Sequence, residues 1–150
     1  MLTILSGGRS ARLFQEIREK RGLAYSTYAF DSSYTDSGAF GLYAGCAPKN
    51  LQKVTDLLHR ELAKLAESGV EERELKEALG QLSGGVLLGM DDNRARMARL
   101  GRAEVTGGRL RTIDQMNAAL RRVTVADICS LAAQFFAAHQ VKVTVSPTVS

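Results

Sequence analysis

The chain has 150 residues, 45% of them hydrophobic and 24% charged, with two prolines and a formal net charge of +4. That length suits one hydrophobic core and not two, and the composition excludes disordered and fibrous classes, so residues 1–150 are expected to form a single domain. No stretch approaches the roughly 18 apolar residues of a membrane span, and no basic leader precedes the short apolar run at the start, so a cytoplasmic protein, or a piece of a larger one, is expected.

Met1 is followed directly by Leu2, Ile4 and Leu5, with no capping residue and no hairpin partner. The chain is therefore expected to begin in mid-element. After Gly7-Gly8, Ser10 is placed to cap a helix through Arg21, with Leu13, Phe14 and Ile17 on one face and Gly22 as a left-handed stop. Aromatic and aliphatic residues then alternate from Ala24 to Ser33 (Tyr28, Phe30, Tyr34) and from Gly38 to Cys46 (Phe40, Leu42, Ala44), which predicts two antiparallel strands.

Pro48 sits at a helix first-turn position, and Leu51, Val54, Leu58, Leu62 and Leu65 recur at helical spacing until Gly69. A third helix is predicted from about Glu71 towards Met90. Its Gly80, Gly84, Gly85 and Gly89 each weaken it by about 1 kcal/mol relative to Ala, which suggests close packing or a kink. Arg94 to Val105 continues helically, Thr112-x-x-Gln115 is a capping box, and Thr124 opens a last helix through Phe136. Val141, Val143 and Val145 predict a closing strand ended by Pro147. The order is that of an α+β fold, an antiparallel sheet of about three strands covered by several helices. Three strands are few for so many helices, which suggests a strand missing ahead of Met1.

Few residues offer chemistry. His59 and Glu61 lie about 200° apart around a helix and cannot share an ion, and His139 reads as a surface residue, so no metal site is expected in this chain. Cys46 and Cys129 form no C-x-x-C pair and read as small buried hydrophobes in a reducing compartment. Two histidines and no nucleophile elbow leave covalent catalysis without support. Gly7 and Gly8 could hold an anion on backbone N–H groups, but they lack the lysine of a phosphate loop, and a turn between two helices is the simpler reading. Arg96, Arg99 and Arg102 would lie together opposite Met97 and Val105 as a polyanion-binding face. A solvated face paired with acidic neighbours is the simpler reading there.

Arg18 lies at the edge of the first apolar stripe, free to lean its head along it, and Tyr25 follows the Gly22 break. The two offer donors suited to peptide carbonyl oxygens or a developing oxyanion. From residue types alone, a surface arginine and a half-buried strand tyrosine is the simpler account.

The segment SGGRSARLFQEIREKRGLAYS resembles the glycine-rich segment, helix and Arg…Gly-Leu-x-Tyr signature of the insulinase/pitrilysin-like zinc metallopeptidases, in particular their mitochondrial-processing-peptidase-like branch. The helical stretch from Ala47 to Phe136 is similar to the remainder of that family's C-terminal domain. Where the family usually has Leu-Gly-Gly-Gly-Met-Ser-Ser-Arg, this chain has Ser6 for the first glycine, Arg9 for the methionine and Ala11 for the second serine. The family domain also has a strand and most of a helix before the segment matching Met1 to Leu5.

The resemblance implies a LuxS/metallohydrolase-like α+β domain, one side of a clamshell that closes around a peptide. Zinc and an inverted H-x-x-E-H motif belong to a separate N-terminal domain or partner protomer. Arg18 and Tyr25 match the pair that binds substrate backbone near the scissile bond, and Gly7 and Gly8 match the glycine-rich segment that guides peptide. By this resemblance the chain is the substrate-clamping, non-zinc-binding part of a metalloendopeptidase, inactive alone. A non-catalytic scaffold or assembly subunit of the same family is the alternative, with polyanion binding third. No nucleic-acid or membrane partner is implied.

Overall fold

The computed structural model describes residues 1–147. A short helix α1 (Leu2–Ser6) passes through the Gly7-Gly8 turn into one turn of helix that widens into a π-helix (Phe14–Glu19). The antiparallel hairpin β1 (Ala24–Ser33) and β2 (Gly38–Cys46) follows. A 3-10 turn (Pro48–Asn50) opens α2 (Leu51–Ser68), and α3 (Glu72–Asp91), α4 (Asn93–Val105), α5 (Ile113–Leu120) and α6 (Val125–Ala137) complete the order. The architecture is α+β, as the order of patterns predicts.

Local signals account for most boundaries. Gly22 (φ 58°) and Gly69 (φ 67°) take positive φ values, which glycine adopts at the end of a helix without steric cost. Thr112 and Thr124 form capping boxes with Gln115 and Asp127, satisfying N–H groups that the first turn leaves free. Asp92 accepts the Arg94 N–H at 2.9 Å and starts α4 as a new helix directly after α3.

The core lies where α1, the π-helix, α2, α6 and one face of the hairpin meet. Leu5, Leu13, Ile17 and Leu65 are fully buried at its centre, each contributing on the order of 1.5–3 kcal/mol. Ala24, Ala29, Leu42 and Ala44 present the sheet's inner face, and the Phe40 ring stacks on Phe135 of α6 at 4.9 Å. Ser6 Oγ donates to Ala29 O (3.3 Å) and Asn50 Nδ2 to Leu23 O (3.2 Å), tying the flanking helices to the hairpin. Tyr28 stands directly opposite Tyr43, their rings stacked at 4.7 Å, with Phe30 beside them. This aromatic set is about 45% exposed, so the alternating aromatics of β1 face away from the core while Phe40, Leu42 and Ala44 of β2 face into it.

Three expectations are corrected. Among the described residues the sheet has two strands, not three: residues 141–147 form no strand, and Val141, Val143 and Val145 are 78%, 83% and 97% exposed. A period-two apolar pattern makes a strand only where an edge supplies its ladder bonds, and neither β1 nor β2 pairs with this segment. The glycines of α3 do not mark close packing, since a Cβ at Gly80, Gly84, Gly85 or Gly89 would meet nothing within 4 Å, and the helix runs through all four without a break. Ser10 does not cap the first long helix; the Ala11 N–H bonds instead to Gly8 O at 3.1 Å.

Candidate functional site

Arg18 and Tyr25 each sit on a backbone irregularity. Arg18 is in the π-helix, whose wider winding is seen in the Lys20 N–H reaching back five residues to Gln15 O at 2.9 Å. Such turns place a side chain where an α-helix would not, and recur at functional sites. Gly22 N–H then bonds to Arg18 O and Leu23 N–H to Ile17 O, both at 2.9 Å, and the chain turns directly into β1.

Tyr25 is the extra residue of a β-bulge. Ala24 pairs with Cys46 and Ser26 with Gly45, so two β1 residues span one step of β2 and Tyr25 has no cross-strand partner. Its side chain is 84% exposed, in place of the half-buried strand tyrosine of the simpler account. The ladder hydrogen bonds do not hold it, and its phenol is free to donate or accept.

Electrostatics single out Arg18 within its run of charges. Glu16 accepts Lys20 Nζ and Arg21 Nη1, both at 2.5 Å, and these bonds, Lys20 first, bring its carboxyl down to about 2. Lys20 and Arg21 are thereby both paired, sharing one carboxylate. Arg18 has no ion-pair partner among the described residues and lies with Cζ 5.0 Å from the Phe14 ring centroid, its stem along the apolar stripe. No hydrogen bond joins Arg18 to Tyr25 among the described residues. The segment offers one exposed fork of N–H donors and one exposed hydroxyl, seven positions apart across a tight helix-to-strand junction.

Gly7 and Gly8 form the turn between α1 and the next helix. The Gly7 N–H is taken by Thr3 O at 2.7 Å and its carbonyl accepts from Gln81 Nε2 of α3, while Gly8 (φ 140°) accepts the Ala11 N–H. A Cβ on Gly7 would overlap Thr3. Much of this backbone is thus committed to the turn itself.

Sequence reading missed the anchor of the site. Arg12 donates Nε to Glu74 Oε1 (2.9 Å) and Nη2 to Glu74 Oε2 (2.7 Å) and Gly69 O (3.1 Å), a bidentate pair fixing the approach to the π-helix against the start of α3. Arg12 holds the Glu74 carboxyl below the usual carboxylate range. The only available signal was an arginine closing the glycine-rich segment, with nothing to name a partner 62 residues away.

The remaining candidates fall elsewhere. His59 lies on α2 and His139 beyond the end of α6, both exposed, and among the described residues no group of three or more His, Cys, Asp or Glu could hold a metal ion, so these side chains do not fit a zinc site. Cys46 and Cys129 are free and half-buried, the Cys129 thiol donating to Ala66 O at 3.1 Å. On α4, Met97 and Val105 are 67% and 87% exposed, whereas Arg99 turns inward, donating Nη1 to Arg111 O at 3.0 Å. The basic face read from spacing is therefore divided, and none of Arg96, Arg99 and Arg102 has an acidic ion-pair partner among the described residues.

A profile described as the peptidase M16 inactive domain matches residues 1–82, the region that carries Gly7, Gly8, Arg18 and Tyr25. The chain belongs to the peptidase M16 family. Over 130 residues it is 45% identical to an uncharacterized zinc protease of Streptomyces coelicolor, covering 87% of this chain and 28% of that protein. Over 145 residues it is 34% identical to the uncharacterized zinc protease YmxG of Bacillus subtilis, covering 97% and 36%. The chain thus spans about a third of the length of these curated relatives. In fold it is similar to the crystal structure of a peptidase M16 inactive domain from Pseudomonas fluorescens, with a TM-score of 0.77 and 23% identity over 89% of this chain and 32% of that one. No helix among the described residues is long and apolar enough to cross a membrane.

Proposed function

We propose that the chain acts as one C-terminal-type domain that clamps substrate for a zinc metalloendopeptidase. Arg18 and Tyr25 orient an extended peptide by hydrogen bonds to its backbone carbonyl oxygens. The hydrolytic chemistry comes from zinc and a general base on a separate N-terminal domain or partner protomer, as the names of the relatives suggest. The observation that carries this reading is the pairing of irregularities. A π-turn and a β-bulge leave the Arg18 guanidinium and the Tyr25 phenol, seven positions apart, exposed at one junction, with no ion-pair partner for Arg18 among the described residues. A rigid fork and a hydroxyl displayed on the two sides of one helix-to-strand junction suit a peptide carbonyl, and better still the oxyanion it becomes.

The test is a peptidase assay of the chain with and without a zinc-bearing M16 domain. The isolated chain is expected to be inactive. With the partner, Arg18→Ala and Tyr25→Phe should each lower kcat/KM by about ten- to a hundredfold without changing the circular dichroism spectrum. Chelator-sensitive hydrolysis by the isolated chain would refute the division of labour. Unchanged kcat/KM in both variants would instead favour an assembly role.

A further inference from the structure

The segment joining α4 to α5, α5 itself and the turn after it enclose an open cleft of about 970 Å³, within the size range of ligand sites. Arg109, Arg111, Arg122 and Gln115 line it, with Leu110 and Ala119 among its apolar surface. No aspartate or glutamate lines the cleft, and Glu104, Asp114 and Asp127, the nearest acids in sequence, are outside its lining. None of the ion pairs among the described residues uses these arginines. A fourth arginine supports them from behind. Arg99 of α4 donates to the Arg111 carbonyl at 3.0 Å and rests its guanidinium on Met116 Sδ at 3.7 Å, while its Nε is buried without a partner. The Arg109–Arg111 backbone is thus pinned by a side chain that adds further positive charge.

Cations gathered without counter-charge disfavour one another and favour an anion. Guanidinium groups select carboxylates and phosphates, which they grip by two parallel hydrogen bonds. We infer that this cleft binds an acidic peptide segment, in which aspartate or glutamate side chains are interspersed with aliphatic ones. The arginines take the carboxylates, Leu110 and Ala119 take the aliphatic groups, and Gln115, whose Oε1 holds the Thr112 N–H, can donate its Nε2 to peptide backbone. Single-stranded nucleic acid fits less well, because no aromatic side chain lines the cleft to stack on a base. Binding here does not depend on Arg18 or Tyr25 and does not require a catalytic partner.

The test is fluorescence anisotropy of the 150-residue chain with a short labelled peptide alternating Glu with Leu and Ala. Its Lys counterpart and a single-stranded oligonucleotide serve as competing probes. The acidic peptide should bind, weakening as salt is raised. Arg109→Gln and Arg122→Gln should each reduce affinity about fivefold, and the double variant about tenfold or more, while Arg60→Gln on α2 should stay within about twofold of the parent. Both cleft positions are exposed, so the substitutions leave the core intact. The inference is overturned if the acidic peptide does not bind, if the Lys peptide binds as well, if the oligonucleotide binds more tightly, or if the arginine variants retain parental affinity.

Discussion

Replacing Arg12 with Met removes three charge-assisted hydrogen bonds, two to Glu74 and one to Gly69 O, while keeping most of the aliphatic stem. The two side chains are 18% and 26% exposed, which places the pair between surface bridges worth about 0–1 kcal/mol and buried ones that lose about 3–5 kcal/mol when one partner goes. Arg12→Met should therefore lower unfolding free energy by about 2–3 kcal/mol, with a coupling to Glu74→Gln of about 1–2 kcal/mol in a double-mutant cycle. Glutamine keeps an acceptor for the Glu71 N–H, which Glu74 also holds at 3.2 Å, so the cycle isolates the ion pair. Urea denaturation followed by far-ultraviolet circular dichroism measures both quantities. Because Arg12 lowers the Glu74 carboxyl in the folded state, this stability is complete above the unfolded carboxylate value and lost as pH falls towards the folded one. A loss below about 0.5 kcal/mol, or a coupling below about 0.3 kcal/mol, would refute the view that this pair anchors the π-helix.

Two further outcomes follow from other parts of the fold. Gly84→Ala and Gly85→Ala should each stabilise the chain by about 0.5–1 kcal/mol, since both lie inside α3 with open space where the methyl would sit; destabilisation in the urea experiment would contradict that placement. Glu16, with its carboxyl at about 2, should contribute stability that is complete above about pH 4.5 and fades as pH falls towards 2, whereas Glu16→Gln should flatten that part of the profile. A profile identical to the parent's would count against the Lys20 and Arg21 contacts.

What could be read from the sequence was what local physics decides. The hairpin from Ala24 to Cys46, the stops at Gly22 and Gly69 and the capping boxes at Thr112 and Thr124 follow from period, backbone freedom and side-chain reach within a few residues. Arg18 and Tyr25 were visible as residues, but the π-turn and the bulge that display them were not. A helical apolar stripe looks the same whether one turn is wound at α or π, and a bulge depends on what the opposite strand pairs with. Arg12–Glu74 was invisible because ion pairs across long separations leave no periodic trace. The Val141–Val145 expectation failed in the opposite sense: a pattern fit for a strand needs an edge, and the edge is not a property of the pattern.

The bulge at Tyr25 also sets the parity of β1. Ala24 faces the core, and strict alternation would send Ser26, Tyr28 and Phe30 to the same side. One uncounted residue reverses this, so that Ala29 joins Ala24 against the core while the two rings stand outside. Pairing Tyr25 into the ladder instead of bulging it would drive Tyr28 and Phe30 into space now filled by an alanine, whereas deleting it would join Ala24 to Ser26 and leave every later side chain on its present face. The ladder thus asks nothing of position 25, neither that it exist nor what side chain it carries. The choice of tyrosine is left to whatever the phenol meets.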